Sequence, residues 1–399
     1  MSRAMARGGP AKRLHPTVIA LGVTSFFTDV GSEMIFPLLP AFVASLGAAP
    51  VFLGLVEGVA DATSSLLKLA SGYATDRLRA KKPLVVIGYS IASFVRPLAA
   101  LASAPWHVLA VRVTDRVGKG LRSTPRDALI ASAVPNEEAG RAFGFHRAMD
   151  HAGAVVGPLV ATLLLSLGWD LRSVFWAALV PGIAAMVALL TVREERRPEP
   201  AMVRQASAAE HVVAAVPLSR SLRSYLVILA VFSLGNSSDA FLLLRASELG
   251  VATASVPLLW SVLHVAKVVS SYLGGGFADR IARPKLIVIG WAVYAATYLA
   301  FAAASEPWHV WALFIVYGCY YGLTEPAEKA LVRELAPAEA RGRAYGFYNF
   351  ITGATAIPAG LCMGLLWQSF GATAALATGA LLAGASSIAL LAWRSAPSR

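Results

Sequence analysis

A chain of 399 residues in which 57% of side chains are hydrophobic and only 15% are charged, with a mean hydropathy of +0.62, is no water-soluble domain, where about 25% of residues carry charge. The formal charge of +12 and the isoelectric point near 10.0 would suit a nucleic-acid binder. The basic residues, however, gather in short segments between long apolar runs, which excludes a nucleic-acid surface and marks one side of a membrane.

A basic tail at 1–16 is followed by twelve apolar runs at roughly 17–47, 51–75, 83–104, 107–133, 142–168, 172–192, 222–247, 254–278, 285–304, 308–335, 343–368 and 371–393, numbered below as spans 1 to 12. Each approaches or exceeds the about 20 residues a bilayer-crossing helix needs. In lipid every backbone group must be paired within a helix or a closed barrel, and barrel strands would alternate apolar and polar over about 10 residues. The runs are solidly apolar, so the expected fold is an all-α membrane protein of twelve transmembrane helices in two pseudo-symmetric six-helix halves. The halves are 1–192 and 222–399, joined by a polar, mixed-charge, proline-containing linker at 193–221. The first run is too long for a signal peptide and carries Asp29 and Glu33, so it reads as a retained helix.

Basic residues fall on alternate loops: Arg3, Arg7, Lys12 and Arg13, then Arg77, Arg79, Lys81 and Lys82, then Arg193, Arg196, Arg197 and Arg204, then Arg280, Arg283 and Lys285, then Arg341 and Arg343, and finally Arg394 and Arg399. The opposite loops hold little beyond Arg172. This bias puts both termini and the linker in the cytoplasm and the chain in the cytoplasmic (inner) membrane.

Span 1 carries Asp29 and Glu33 four residues apart, on one helix face. Carboxylates at that depth are costly, so they read either as a proton site with a cationic partner or as a structural ion pair. Span 2 repeats the spacing with Glu57 and Asp61, Glu57 near the outer end where water can reach it. Span 4 is the most charged: Arg112, Asp115, Arg116, Lys119, Arg122, Arg126 and Asp127, the cations recurring every three or four residues as a stripe. Within a membrane such a stripe faces a cavity or other charged helices. Its Gly-Lys-Gly is no phosphate loop, lacking the spacing and the preceding strand. Span 5 holds His146, Arg147, Asp150 and His151 in its inner part, and Gly153 and Gly157 form a small-residue face for close packing.

A diverged copy of Pro105 to Gly144 begins at Pro307 with no gap. Trp308 minus Trp106 and Gly346 minus Gly144 both equal 202, and Pro-Trp-His-Val opens both copies. The chain is therefore two halves of one design. Span 10 has lost most of the charge: Phe314, Tyr317, Gly318 and Tyr321 stand where span 4 has Arg112, Asp115, Arg116 and Lys119, while Glu325, Glu328 and Lys329 remain. Span 7 carries Asn236, Ser237, Ser238, Asp239 and Arg245, and span 8 carries His264 and Lys267. The first half is thus expected to hold the charge coupling through Asp29, Glu33, Arg112, Asp115, Arg116 and Lys119. The substrate cavity is expected at Arg122, Asn236, Asp239, Tyr317, Tyr321 and Glu325, an aromatic and amide surface suited to an organic molecule.

After span 2 the chain reads Gly72-x-x-x-Asp76-Arg77 with basic residues following, and after span 8 Gly275-x-x-x-Asp279-Arg280. This pattern resembles the signature loop of the major facilitator superfamily, and the twelve runs in two halves resemble its architecture across essentially the whole chain. Arg79 and Ala282 stand where the family usually has Gly. The resemblance implies that Gly72, Asp76, Arg77, Gly275, Asp279 and Arg280 form an inner gate, the carboxylates facing helix N-termini across the halves. Arg116 with Gly120 resembles the family's helix-4 pattern, implicated in proton-coupled transport. Gly144, Gly153, Gly157 and Pro158 resemble its helix-5 antiporter pattern, with Ala161 and Thr162 replacing the closing glycines.

The expectation is a proton-coupled secondary transporter of a small organic molecule, an exporter by antiport. Proton-coupled uptake of a metabolite and a non-transporting membrane receptor are the alternatives. A small-molecule substrate, protons and the bilayer are its partners, and a monomer is expected, with no nucleic acid. Enzyme signatures such as Gly-x-Ser-x-Gly or a metal-spaced His/Cys cluster are missing, and Cys319 and Cys362 lie inside apolar runs, so neither metal, cofactor nor disulfide is expected. The topology is testable in a chain lacking Cys319 and Cys362. Ser2→Cys, Ser207→Cys and Ser398→Cys should react only with a membrane-permeant thiol reagent, and labelling from outside would break the twelve-span reading.

Overall fold

The computed structural model describes residues 14–77, 80–194, 219–278, 281–336 and 341–393. Among them every regular element is helical. Asp279 and Arg280 of the expected gate, and the linker from 195 to 218, lie outside the described residues. So do the side chains of Asp76 and Arg77, whose backbones, with Gly72, belong to helix Pro50–Arg77, while Gly275 belongs to helix Val256–Ala278.

Nine helical stretches among the described residues are long and apolar enough to cross a membrane. One of them, Ala344–Ala392, has 49 residues, well over twice the length of a span. It bends at Gly371, where φ is 84°. Helices Pro105–Ala133 and Pro307–Leu335 fall outside the nine. The first is heavily charged, and tyrosine, tryptophan and histidine dilute the apolar character of the second.

Sequence chemistry accounts for the helix ends. Pro16, Pro105 and Pro307 stand in the first turn, where a missing N–H costs nothing. Asp170 accepts from Ser173 N at 3.0 Å and caps the short helix that opens span 6. Among the described residues four glycines have positive φ: Gly47, Gly168, Gly250 and Gly371 at 82°, 87°, 86° and 84°. They end spans 1, 5, 7 and 11, in the left-handed conformation that closes helices. Gly250 follows Gly47, and Gly371 follows Gly168, by the same 203 residues. The repeat is thus written in the turns as well as in the spans.

Spans 1 and 7 are not the continuous helices expected. Span 1 passes from helix Pro16–Ile35 through a tight turn at Phe36–Leu38 into helix Leu39–Ser45. Pro37 and Pro40 remove the N–H groups that would continue the ladder. Span 7 breaks between helices Arg220–Gly235 and Ala240–Glu248, leaving 236–239 out of the helix.

The cores of the two halves differ. Residues from Leu222 onward form one aromatic core in which Phe232 stacks on Trp291 with ring centroids 4.3 Å apart and Tyr294 on Tyr298 at 4.2 Å. The first half has two apolar cores, one around Val30, Leu38, Phe42 and Phe175, the other around Leu21, Val85, Tyr89 and Ile130. Buried charge lies between them. Large apolar side chains such as Val180, Leu190, Leu381 and Ile388 point outward, as lipid contact requires.

Across the halves, helix Pro50–Arg77 packs along helix Arg341–Ala392, and helix Asn136–Ser166 against helix Val256–Ala278. The first contact is backbone to backbone: a Cβ on Gly54 would lie 2.0 Å from Gly360 O, and one on Gly364 would lie 2.5 Å from Val51 Cα. Within the first half, span 5 meets span 1 the same way, a Cβ on Gly153 falling 2.4 Å from Phe26 O and one on Gly157 falling 2.5 Å from Val30 O. Gly144, in the same sequence pattern, has open space around it. Gly157→Leu should therefore force spans 1 and 5 apart and cost about 1–3 kcal/mol by overpacking, lowering the detergent melting temperature by several degrees, while Gly144→Leu leaves it unchanged. Equal melting temperatures for the two would refute the packing role.

Candidate functional site

A cavity of about 440 Å3 lies between the halves. Glu33, Asp61, Lys68, Arg116 and Lys119 reach it from the first half, and Asn236, Asp239, Trp260, His264 and Tyr321 from the second.

The second-half wall follows from the break in span 7. Gly235 lets the backbones approach, since a Cβ there would meet Gly379 O at 2.8 Å. The run Asn236-Ser237-Ser238-Asp239 then offers short polar side chains that compete with the helix for backbone groups. Ser238 Oγ accepts from Ala240 N at 3.3 Å, and Asn236 Nδ2 donates to Tyr320 OH at 3.1 Å. A discontinuous helix at a cavity is how membrane transporters present polar groups at depth. Asp239 is the hub of this wall. It accepts from Tyr317 OH at 2.6 Å, from Tyr321 OH at 2.9 Å and from Lys267 Nζ at 3.2 Å. Lys267 also lies over the Tyr321 ring, 3.7 Å from its centroid.

The first-half wall is built on ion pairs. Arg112 Nη2 meets both oxygens of Glu57, at 2.7 and 2.9 Å, and its Nε adds a third bond at 3.1 Å. Arg96 Nε donates to Asp115 at 2.6 Å and its Nη1 to Thr28 O at 2.7 Å. These four side chains are each less than a tenth exposed. Arg122 turns away from the cavity onto the Tyr89 ring at 4.7 Å. The cationic stripe of span 4 is therefore shared out. Arg112 and Arg122 are buried in the half, while Arg116 and Lys119 face the cavity. The glycines on either side of Lys119 are packing residues. A Cβ on Gly118 would fall 2.7 Å from Gly88 O, one on Gly120 2.4 Å from Leu67 Cβ, and Ser71 Oγ donates to Gly120 O at 2.9 Å.

Among the described residues one polar bond spans the cavity: Trp260 Nε1 donates to Glu33 Oε2 at 2.7 Å, with Phe36 against the Trp260 ring at 4.9 Å. In this conformation Glu33 is therefore held by Trp260, while Arg116 faces Asp61 at 3.9 Å. Asp29 lies one turn inward, half-buried beside Gly153.

Of the expected cavity residues, Asn236, Asp239 and Tyr321 line it. Tyr317 is buried behind them as a donor to Asp239, Arg122 is buried on Tyr89, and Glu325 pairs outside with Lys329 at 2.6 Å. Of the expected coupling residues, Glu33, Arg116 and Lys119 line the cavity, whereas Arg112 and Asp115 are locked in buried pairs. Glu57 corrects the expectation of water access: it is 2% exposed, because Arg112 covers it. Sequence reasoning missed Arg96 and Trp260. Arg96 was detectable as an ionisable residue within an apolar run. Glu328 is also buried, accepting from Trp291 Nε1 at 3.0 Å and Tyr348 OH at 2.8 Å.

Apolar helices in two repeated halves around a polar central cavity make a membrane transporter. The family profile described as Major Facilitator Superfamily matches residues 21–262 and again 226–399, and the chain belongs to that superfamily. It is 31% identical to an uncharacterized MFS-type transporter of Methanocaldococcus jannaschii over 93% of this chain and 95% of that one. It is 26% identical to the multidrug resistance protein MdtG of Enterobacter lignolyticus over 81% of this chain and 78% of the relative. Its fold is similar to that of a solved peptide transporter, POT, with a TM-score of 0.77 at 13% identity, covering 97% of this chain and 95% of the other.

The buried pairs generate a stability test. Glu57→Gln leaves Arg112 buried without its counter-ion and should cost about 3–5 kcal/mol. The double variant Glu57→Met with Arg112→Met should recover most of that loss in denaturant or thermal unfolding. A single variant as stable as the parent would mean that Arg112 finds water or another acid.

Proposed function

We propose that this protein exports a small organic molecule across the cytoplasmic membrane in exchange for protons, by rocking of residues 1–192 against 222–399 around the central cavity. The linker 193–221 and both termini lie in the cytoplasm in this reading. Gly72, Asp76 and Arg77, with Gly275, Asp279 and Arg280, form the inner gate. The observation that carries the coupling is the Glu33–Trp260 bond, because it joins a carboxylate of one half to a donor of the other. Rocking separates the partners. The cavity then holds a charged carboxylate less well unless a cation replaces the donor, and Arg116 on the same wall is that cation. Proton occupancy of Glu33 therefore follows the transport cycle, with Asp29 one turn inward as a second acid. Export is supported by relatives named multidrug resistance proteins and by the helix-5 glycine pattern.

The test uses everted membrane vesicles with a respiration-driven pH gradient read by acridine orange. Compounds exchanged for protons should restore fluorescence in vesicles carrying the protein. Glu33→Gln should abolish that response while leaving compound binding to the purified protein intact. A Glu33→Gln protein that still exchanges protons removes Glu33 from the mechanism and passes the role to Asp29.

A further inference from the structure

Lys267 stands at the middle of helix Val256–Ala278, on the face that also carries Trp260 and His264. A long helical side chain leans toward the N-terminus of its helix, and the Lys267 ammonium lies 5.4 Å from the centroid of the Trp260 ring. It is also 3.7 Å from the centroid of the Tyr321 ring and 3.2 Å from Asp239 Oδ2. Glycines of span 10 bring Tyr321 this close by letting spans 8 and 10 touch. A Cβ on Gly318 would fall 2.4 Å from Ala266 Cβ, and one on Gly322 would fall 2.3 Å from the Ser270 carbonyl carbon. The carboxylate is fixed by the hydroxyls of Tyr317 and Tyr321, which donate to it at 2.6 and 2.9 Å. The Trp260 ring is fixed by its donation to Glu33 at 2.7 Å. Among the described residues Asp239 is the only acid within 4.0 Å of Lys267, and both side chains are less than a fifth exposed.

Two aromatic rings and a carboxylate around one ammonium are the chemistry that recognises an organic ammonium ligand. Neutralising Asp239 would need only the cation; the rings add selection for an ammonium at that place. Asp239, Trp260 and Tyr321 all line the cavity, so the site opens on the space between the halves. An external amine meets two obstacles there. The tethered lysine competes at an effective concentration of the order of millimolar. Its displacement would also strand a cation at mid-span without a counter-ion, which is costly.

We propose that Asp239, Trp260 and Tyr321 form a primary-ammonium site that the protein fills with its own Lys267, and that Lys267 thereby sets specificity: amines are shut out of this site while the lysine holds it. This deepens the transport reading given above and rests on it only for the claim that what the cavity admits is cargo.

The experiment measures binding to the purified full-length protein in nanodiscs, by melting shift and calorimetry with no pH gradient. Lys267→Ala removes the atoms of a propylammonium ion, so propylammonium is the probe, with propan-1-ol and propionate as its neutral and anionic analogues. The parent protein should respond to none of them. Lys267→Ala leaves Asp239 without its cation and should melt lower. Propylammonium should restore its melting temperature and bind it at least about tenfold more tightly than the parent, while the alcohol and the acid have no effect. Lys267→Arg keeps a tethered cation and should gain no amine affinity. Lys267→Ala combined with Asp239→Asn has no carboxylate left to satisfy, and should fold by size exclusion yet ignore the amine. If Lys267→Ala is recovered only when purified with propylammonium, and not with propan-1-ol, that requirement reports the same site. The proposal is overturned if the parent binds propylammonium as tightly as Lys267→Ala, if the alcohol acts as well as the amine, if the amine neither stabilises nor recovers Lys267→Ala, or if the double variant keeps the response. The acridine orange response of vesicles carrying the parent protein is read separately. Its absence sinks proton-coupled export and leaves the ammonium site standing. Its presence, with no amine gain in Lys267→Ala, does the reverse.

Discussion

Everything in the first half is arranged around the burial of guanidinium groups in a low-dielectric interior. Arg112 and Arg96 can lie there only because Glu57 and Asp115 meet them at hydrogen-bonding distance. The cost of an uncompensated buried charge is far larger than the net gain of the pair. These pairs divide the apolar core of the half into two clusters and tie spans 2, 3 and 4 together between them. The second half has no such need. Where span 4 carries Arg112 and Asp115, span 10 carries Phe314 and Tyr317, and its interior closes as one aromatic core. One ancestral design thus supports two kinds of wall. The first is set by electrostatics, the second by ring packing and phenolic hydroxyls.

Much of this was legible in the chain. The apolar runs, the offset of 202 and the cations of span 4 are one-dimensional signals, because each depends on residues near one another in sequence or on a repeat. What was not legible is which charge meets which. Arg112, Arg116, Lys119 and Arg122 recur every three or four residues, yet such a stripe is wide enough to touch more than one neighbouring helix. Tyr89, Glu57 and the cavity divide it according to how the helices are rotated in the bundle. That rotation is a tertiary fact. The bend of span 7 lay closer to the surface of the sequence. Gly235 followed by Asn, Ser, Ser and Asp is a run that favours turns over helix, but it is set in an apolar stretch long enough to read as one span. The glycines at 47, 168, 250 and 371 carried a repeat signal in their spacing, and it becomes visible only when their positive φ singles them out from the other helix-packing glycines.

The contacts of this protein sort by whether they join elements of one half or of both, and that sorting separates structure from mechanism. Arg112–Glu57, Arg96–Asp115 and Trp291–Glu328 lie inside a half, so a rigid-body rotation of one half against the other leaves them intact. They cannot sense the conformational state. The Glu33–Trp260 bond, the Ser261 donation to Val155 O at 3.1 Å and the Gly54–Gly360 backbone contact do cross between halves. The last two are contacts with backbone, neutral and close, and they serve to fit one surface to another. Glu33 alone among these three brings an ionisable group, and it does so on the wall where Lys68, Arg116 and Lys119 stand. An ionisable group and the cationic side chains of the first half thus stand together where the two halves meet across the cavity. An acid buried deeper in either half would be better protected but would keep the same surroundings however the halves are placed, and only a group on the shared surface can differ between two arrangements.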